Sequence, residues 1–469
     1  MSRIIKLTRY REKGSPGETL ESVILNTGLG MEGDFHAQGG DRQLSLLCFE
    51  TRQWMDSQTE KGLCFSRYKE NILLEELAPQ ELVPGTQLKT GEVILEISSA
   101  GKECFKECPL FKSGKNCLLA KQSLFAKVIC GGLVKTGDNI VVVAGKQGRL
   151  LDSYGRVIDY LRLSVTDRCN LRCLYCMPSS GVAWISHDEV LRFEELLRLC
   201  RILAELGINS IRVSGGEPLV RRGVVDLIRE LKAIEGIEQL SMTSNGVMLG
   251  EHIDALFAAG LEAVNISLDT IDEEKYRLLT RSEGFANVLS AIDRSLELGL
   301  KVKINCVPMR GYNDEDIVKL VSLIKNKNIN LRFIELMPLG AAASFQPISS
   351  AEVISLIEKA YGTMMPIAMK LGNGPAIYYS LQGFTGFVGL ISAMSNCFCS
   401  GCNRLRLSAS GVLKPCLSSN LSLDLRSLIR GNASDDEIKK SIRELAAKKP
   451  ERHSFGVDIE KKEMFRIGG

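Results

Sequence analysis

The sequence predicts an α/β fold: a partial (β/α)6 barrel with a cysteine-bearing C-terminal extension, preceded by a small β-rich barrel or sandwich domain. Three observations lead there. From residue 158 short apolar strands alternate with longer amphipathic helices, the pattern of repeated βα units. Before about residue 145 the chain reads mostly as short strands and turns. A chain of 469 residues is also too long for one compact core. The expected domains are residues 1–145, 150–365 and 366–469, with the small, polar stretch 144–149 as a linker.

In the first segment two similar stretches stand out, residues 85–95 and 132–142. Each reads as an apolar strand, a Lys-Thr-Gly turn and a second apolar strand. In the second segment strands are expected at about 159–166, 210–214, 239–243, 263–268, 301–307 and 331–336, with helical spacing plain over 190–203. Eight βα units close a barrel, so six leave it open. After about residue 365 the alternation fades. Strands are expected within 384–391 and 404–413, and helices at 421–429 and 435–448.

Composition narrows the function. With 45% hydrophobic and 25% charged residues the chain is ordinary globular material. A net charge of +3 gives no reason to expect nucleic acid as a partner. No apolar run is long enough for a membrane span, and the charged start has no signal-peptide core. Fifteen cysteines in such a chain point to a reducing cytoplasm and to metal ligation rather than disulfides.

Two cysteine groups carry ligand-like spacing. Cys169-x3-Cys173-x2-Cys176 follows the first barrel strand, and Cys399-x2-Cys402 is followed by Cys416. Three thiolates cannot satisfy four irons, so a four-iron cluster held this way keeps one iron open. Zinc is the competing occupant, chiefly at the second triad, where Cys397 offers a further ligand. The expected strands end in polar or glycine-rich groups: Thr166–Cys169, Gly215–Pro218, Thr243–Gly246, Ser267–Thr270, Pro308-Met309 and Met337-Pro338. In βα barrels that end carries the chemistry.

The first triad, with Tyr175 before its last cysteine, resembles the signature of radical S-adenosylmethionine enzymes, and Gly215-Gly216-Glu217-Pro218 resembles their GGEP motif. Asp152–Arg156, Tyr160–Asn170, Asn265–Thr270 and the Cys402-Asn403-Arg404-x-Arg406-Leu407 segment together resemble the GTP 3′,8-cyclase family over about residues 150–469. The resemblance implies two [4Fe-4S] clusters, at Cys169, Cys173 and Cys176 and at Cys399, Cys402 and Cys416. It implies S-adenosylmethionine beside Tyr175, Gly216, Ser267 and Met337, and GTP beside Arg162, Arg212, Thr243, Lys303, Arg404 and Arg406. The implied reaction is hydrogen abstraction from ribose C3′, ring closure onto guanine C8, and reduction to (8S)-3′,8-cyclo-7,8-dihydroguanosine 5′-triphosphate, the first step of molybdenum cofactor synthesis. A reductant or electron-donor protein, a downstream cyclic pyranopterin monophosphate synthase and a homodimer are the expected partners. In this family a terminal Gly-Gly reaches the active site, a role that Gly468-Gly469 fits.

The residues give independent support. No GxxxxGK[ST] loop is present to cradle a triphosphate, so side-chain cations must do so. Strand alternation puts Arg404 and Arg406 on one face. Lys303 points away from the side of Val302 and Ile304, to the lumen or to the surface. Ser210, Ser244 and Ser408 stand where the family often has lysine, threonine and threonine, and the first of these changes removes a phosphate contact.

Residues 20–144 resemble MOSC domains through Gly33–Ala37, Asp41–Ser45, Glu70–Ile72, Gly101–Cys104 and Gly131–Asp138. That resemblance implies sulfur carriage or molybdenum cofactor binding, with Cys104 at the family's cysteine position. Cys108, Cys117 and Cys130 cluster with Cys104 in sequence and together offer a metal site instead, whereas Cys64 reads as a structural thiol. Two rival functions stay open: another radical enzyme with an auxiliary cluster, and a carrier whose barrel is inactive.

Overall fold

The computed structural model describes residues 2–77, 82, 84–102, 104–113, 117–144, 150–178, 182–367, 369 and 371–455. It divides into two compact units, residues 1–148 and 149–469.

Among the described residues the first unit is built on an eight-stranded sheet and a three-stranded one. Alternation along Val93–Ala100 buries Val93, Leu95 and Ile97 against Leu46, Ile72 and Leu88, which form the core between them. The 85–95 stretch forms the expected hairpin, Gln87–Thr90 pairing antiparallel with Val93–Ala100. The similar stretch at 132–142 does not. Gly132–Lys135 pairs with Ser22–Asn26, and Val141–Ala144 pairs with Gln87–Thr90 in the other sheet. Tertiary pairing overrides the local turn signal there.

Among its described residues the second unit holds eight parallel strands, which we number β1 (Tyr160–Ser164), β2 (Ser210–Ser214), β3 (Gln239–Ser244), β4 (Ala263–Ser267), β5 (Lys301–Cys306), β6 (Ile329–Ile334), β7 (Phe387–Ile391) and β8 (Arg404–Leu407). Their spatial order is β7-β6-β5-β4-β3-β2-β1-β8, so the first six lie in sequence order with one C-terminal strand added at each side. The stretch after residue 365, which the sequence presents as an extension of its own, thus shares the barrel sheet. Antiparallel strands end the sheet at both edges, Met365–Pro366 with Ile377–Ser380 and Val412–Lys414 with Leu423–Asp424.

Amphipathic helices cover the sheet. Phe193–Glu205, between β1 and β2, buries Leu196, Leu199, Cys200 and Leu203 on one face. Ser349 and Ser434 open later helices as capping boxes with Glu352 and Glu437.

Because β8 runs parallel to β1, the segment before β8 lies at the opposite end of the sheet from the segment after β1. The strand Val412–Lys414 returns antiparallel to β8, which brings Cys416 back to the end where Cys399 and Cys402 sit. The two cysteine triads therefore occupy opposite mouths of the barrel.

Candidate active site

One cavity of about 340 Å³ runs through the second unit and is lined by all six triad cysteines. Tyr175, Gly216, Ser267, Met337, Arg162, Arg212, Thr243, Arg404 and Arg406 line it as well. Of the described site residues expected from the sequence in this unit, only Lys303 is absent from the wall. It is buried and donates to the Leu371 carbonyl.

At the first triad, backbone and side-chain donors hold the loop. Leu171 N–H and Asn245 Nδ2 donate to Cys169 Sγ at 3.4 and 3.8 Å. Burial pushes the Cys169 and Cys173 thiols up, Cys173 far up. Thiolates there need a bound cation, which is what a cluster iron provides. Tyr175 donates its hydroxyl to Asp269 at 2.8 Å, and Asp269 also accepts Val307 N–H at 2.8 Å.

The glycines of the GGEP segment have a packing role. Gly216 N–H donates to the Thr166 carbonyl and Glu217 N–H to the Arg168 carbonyl, both at 2.8 Å. A Cβ at Gly216 would run into the Arg168 carbonyl, so only glycine lets the β2 loop lie against the triad loop. Glu217 is fully buried and accepts Leu219 N–H, Ser244 Oγ–H and Asn245 N–H at 3.2, 3.0 and 2.7 Å. Ser244 thus keeps the hydroxyl that the structure needs. Burial raises Glu217 to about 7 and Asp269 to about 6.

The middle of the lumen is cationic. Arg162 lies in register with Arg212 on one side and with Arg406 on the other, a row of three guanidinium side chains across β2, β1 and β8. Arg332 on β6 and Lys303 on β5 add two buried cations. Burial, then mutual repulsion, drives Arg162 far below its ordinary range, Arg406 to about 10 and Lys303 to about 7, and burial is the chief cause of Arg332 falling to about 10. Among the described residues no carboxylate forms an ion pair with Arg162, Arg212, Arg332 or Lys303. Arg162 Nε, Arg332 Nε, Thr243 Oγ1, Asn305 Oδ1 and the Tyr160 hydroxyl are buried without a partner. Such a lumen is complementary to an anionic, polar ligand.

At the second triad Arg156 clamps the loop to the chain's C-terminal part. It pairs with Asp152 at 2.5 Å and donates to the carbonyls of Cys399, Pro450 and Glu451 at 2.6, 2.6 and 3.0 Å. Lys449 is buried beside the triad and donates to the carbonyls of Arg404 and Pro415. Burial raises the Cys402 thiol, but the Arg404 and Lys449 cations outweigh it and bring the thiol down to about 7. Cys397, Cys399 and His453 form a second grouping, their ligand atoms all within 4.8 Å of one another. Gly468-Gly469 falls within 456–469, outside the described residues.

Sequence reasoning missed Arg332, Lys449 and His453, all on the cavity wall, and gave no role to Asp269 or Glu217. Arg332 was within reach. It alternates with Leu331 and Phe333 as Lys303 does with its neighbours. Lys449 and His453 carried no such pattern.

Two family models match the second unit, the Radical SAM superfamily over 163–324 and Molybdenum Cofactor Synthesis C over 329–455. The GTP 3′,8-cyclase of Clostridium perfringens (strain SM101 / Type A) is 42% identical over 321 residues, 68% of this chain and 99% of the relative. The chain belongs to the GTP 3′,8-cyclase family. It is accordingly a radical S-adenosylmethionine enzyme of the lyase class. A second GTP 3′,8-cyclase, from Pelotomaculum thermopropionicum, is 43% identical over 323 residues, again 68% of this chain and 99% of that one. Among solved structures, SuiB of Streptococcus suis bound to S-adenosylmethionine is 14% identical with a TM-score of 0.42, covering 61% of this chain and 68% of that one. The YuaD protein of Bacillus subtilis is 16% identical with a TM-score of 0.25, covering 30% of this chain and 94% of that one. Among the described residues no helix of this GTP 3′,8-cyclase family member is long and apolar enough to cross a membrane.

Proposed function

We propose that the chain converts GTP to (8S)-3′,8-cyclo-7,8-dihydroguanosine 5′-triphosphate, the first step of molybdenum cofactor synthesis. The observation that carries this reading is the in-register row Arg212, Arg162 and Arg406 inside a cavity with a three-thiol triad at each mouth. The donor sets fit the groups the family implies. Cys169, Cys173 and Cys176 would hold one cluster and Cys399, Cys402 and Cys416 the other, each with one iron left for a non-protein ligand. When bound, the first cluster and S-adenosylmethionine supply a 5′-deoxyadenosyl radical able to abstract hydrogen.

The chain's own residues do the rest. Arg162, Arg212, Arg332 and Arg406 neutralise the triphosphate, and the unpartnered Nε groups of Arg162 and Arg332 find acceptors in its oxygens. Lys303 adds charge from just outside the wall. Thr243 offers its hydroxyl to the ligand, and Arg404 binds at the second triad. Tyr175, held by Asp269, joins Gly216, Ser267 and Met337 around S-adenosylmethionine. Apolar Leu171, Val307, Ile334 and Ile391 on the wall keep water from reactive carbon. Substrate held between the two mouths meets both ends at once, and such positioning supplies a large part of a rate enhancement.

For the first unit we infer a MOSC-like module that binds molybdenum cofactor or carries sulfur, with Cys104 at the family position. A reductant, and a cyclic pyranopterin monophosphate synthase that takes the product, complete the expected partners, in a reducing cytoplasm that suits fifteen free thiols. A second reading comes from the Cys397, Cys399 and His453 grouping, which would hold zinc in place of the second cluster. One experiment separates the two. Anaerobic reconstitution should give about eight irons per chain. Addition of GTP, S-adenosylmethionine and a reductant should then give GTP-dependent 5′-deoxyadenosine and a cyclised nucleotide. About four irons, with a zinc that is lost in Cys397→Ser, would favour the second reading. Intact clusters without GTP turnover would sink the first.

A further inference from the structure

The first unit holds a group of thiols outside the site described above. Cys64, Cys104, Cys108 and Cys117 line one small cavity. All four are free thiols; Cys64 and Cys108 are buried, Cys104 and Cys117 partly so. Cys104 lies within electrostatic reach of the other three. Three of them share one segment with Cx3Cx8C spacing, and the fold delivers Cys64 from a separate turn. Cys130, grouped with Cys104 in the sequence, does not join them. It is exposed at the end of the strand Leu124–Cys130, which carries it away from the cavity.

Local structure fixes two of the sulfurs. Cys108 immediately precedes the short helix Pro109–Lys112, and Cys117 precedes Leu118–Gln122. A merely apolar role would explain buried thiols one by one. It does not explain four around a common void. The cavity measures about 10 Å³, room for a single ion but not for a cluster or an organic cofactor.

We propose that Cys64, Cys104, Cys108 and Cys117 bind one zinc-type ion in a closed four-thiolate site that stabilises the first unit. Four thiolates complete the coordination of a structural zinc and leave no position for chemistry. Each thiol gives up its proton on binding, and Lys102 on the cavity wall offsets part of the net negative charge of the site. No three of the four sulfurs lie within 4.8 Å of one another, so the ion draws the two loops inward and couples metal binding to folding. This replaces the sulfur-carrier alternative for Cys104 and leaves the molybdenum-cofactor alternative for the first unit untouched, because a ligated Cys104 is not free to carry sulfur.

The test uses the full chain with its clusters reconstituted. Zinc and iron are counted together, and cysteine alkylation is mapped before and after a zinc chelator. The expected result is about one zinc per chain. The four cysteines should be protected until the chelator is added, while Cys130 reacts throughout. Cys64→Ser should lose the zinc with iron unchanged, and Cys130→Ser should keep it. The alkylation map needs no substitution, so a misfolded variant cannot decide the matter. Equal alkylation before and after chelation overturns the proposal, as does zinc that follows Cys397 rather than Cys64. Thiocyanate released by cyanide from Cys104 in zinc-free protein overturns it in favour of sulfur carriage. Apart from zinc that follows Cys397, which concerns the second triad, these outcomes are independent of the cyclase reading, which iron content and GTP-dependent 5′-deoxyadenosine test separately.

Discussion

Two groups of buried charge meet in the barrel, and they are treated in opposite ways. Glu217 and Asp269, near the first triad, are displaced from their ordinary ranges by burial, yet each accepts hydrogen bonds at both carboxylate oxygens. Arg162 and Arg332, across the lumen, are displaced by burial too, but each keeps an orphaned Nε. A buried polar group left without partners costs free energy, whereas one that is fully bonded does not. The acids are therefore framework, joining the β2, β3 and β5 loops. The cations are held ready for something that arrives.

That contrast can be broken at four points. The largest effect is expected at Arg332→Met, which should raise the KM for GTP roughly 10- to 100-fold by removing charge-assisted bonds. The melting temperature of the ligand-free protein should change little, since removal of a buried cation is set against loss of its Nη2 bond to Asn265 Oδ1. An unchanged KM would remove Arg332 from the substrate site. Next, Glu217→Gln should cost about 1–3 kcal/mol of stability by unseating one of three donors, with little change in KM for GTP. A variant that folds as well as the parent and loses GTP affinity would reverse the assignment.

The third effect depends on pH. Lys303 falls from 10.5 to about 7 in the folded chain, its proton disfavoured by burial and by Arg332. Between those values only the unfolded chain binds that proton, so ligand-free stability should rise with pH from about 7 upward. In Lys303→Met, denaturation at pH 7 and pH 9 should show that rise reduced. An identical slope would mean that the amine is not held in the charge-poor setting described. The smallest effect belongs to Cys397→Ser, which should leave iron content and turnover within about twofold. A lost zinc with no second cluster in the parent would instead support the zinc reading of the second triad.

Much of the barrel was legible beforehand because its signals are local. Six strands fall close to their expected positions, and apolar alternation with helical spacing between them needs no distant partner to be read. The hairpin at 85–95 was legible for the same reason, while its look-alike at 132–142 misled, since two strands that share a turn need not pair. Arg404 and Arg406 could be put on one face by alternation alone. Their alignment with Arg162 could not, because strand register across β1 and β8 joins residues far apart in the chain. Cys130 and Cys64 exchanged parts for a similar reason: nearness in sequence suggested the first, and only folding brings in the second.

The sequence by itself determined the ligand inventory: two thiol triads of distinct spacing, a glycine pair after the second strand, and two arginines, Arg404 and Arg406, on one face of a strand beside the second triad. These are properties of short segments, set by covalent spacing and strand periodicity. Only the tertiary structure decided that β8 lies parallel to β1, and with it that the triads face each other from opposite mouths of one cavity. The physical reason is that strand direction and neighbour are chosen by long-range hydrogen bonding and core packing, which no local pattern of residues encodes.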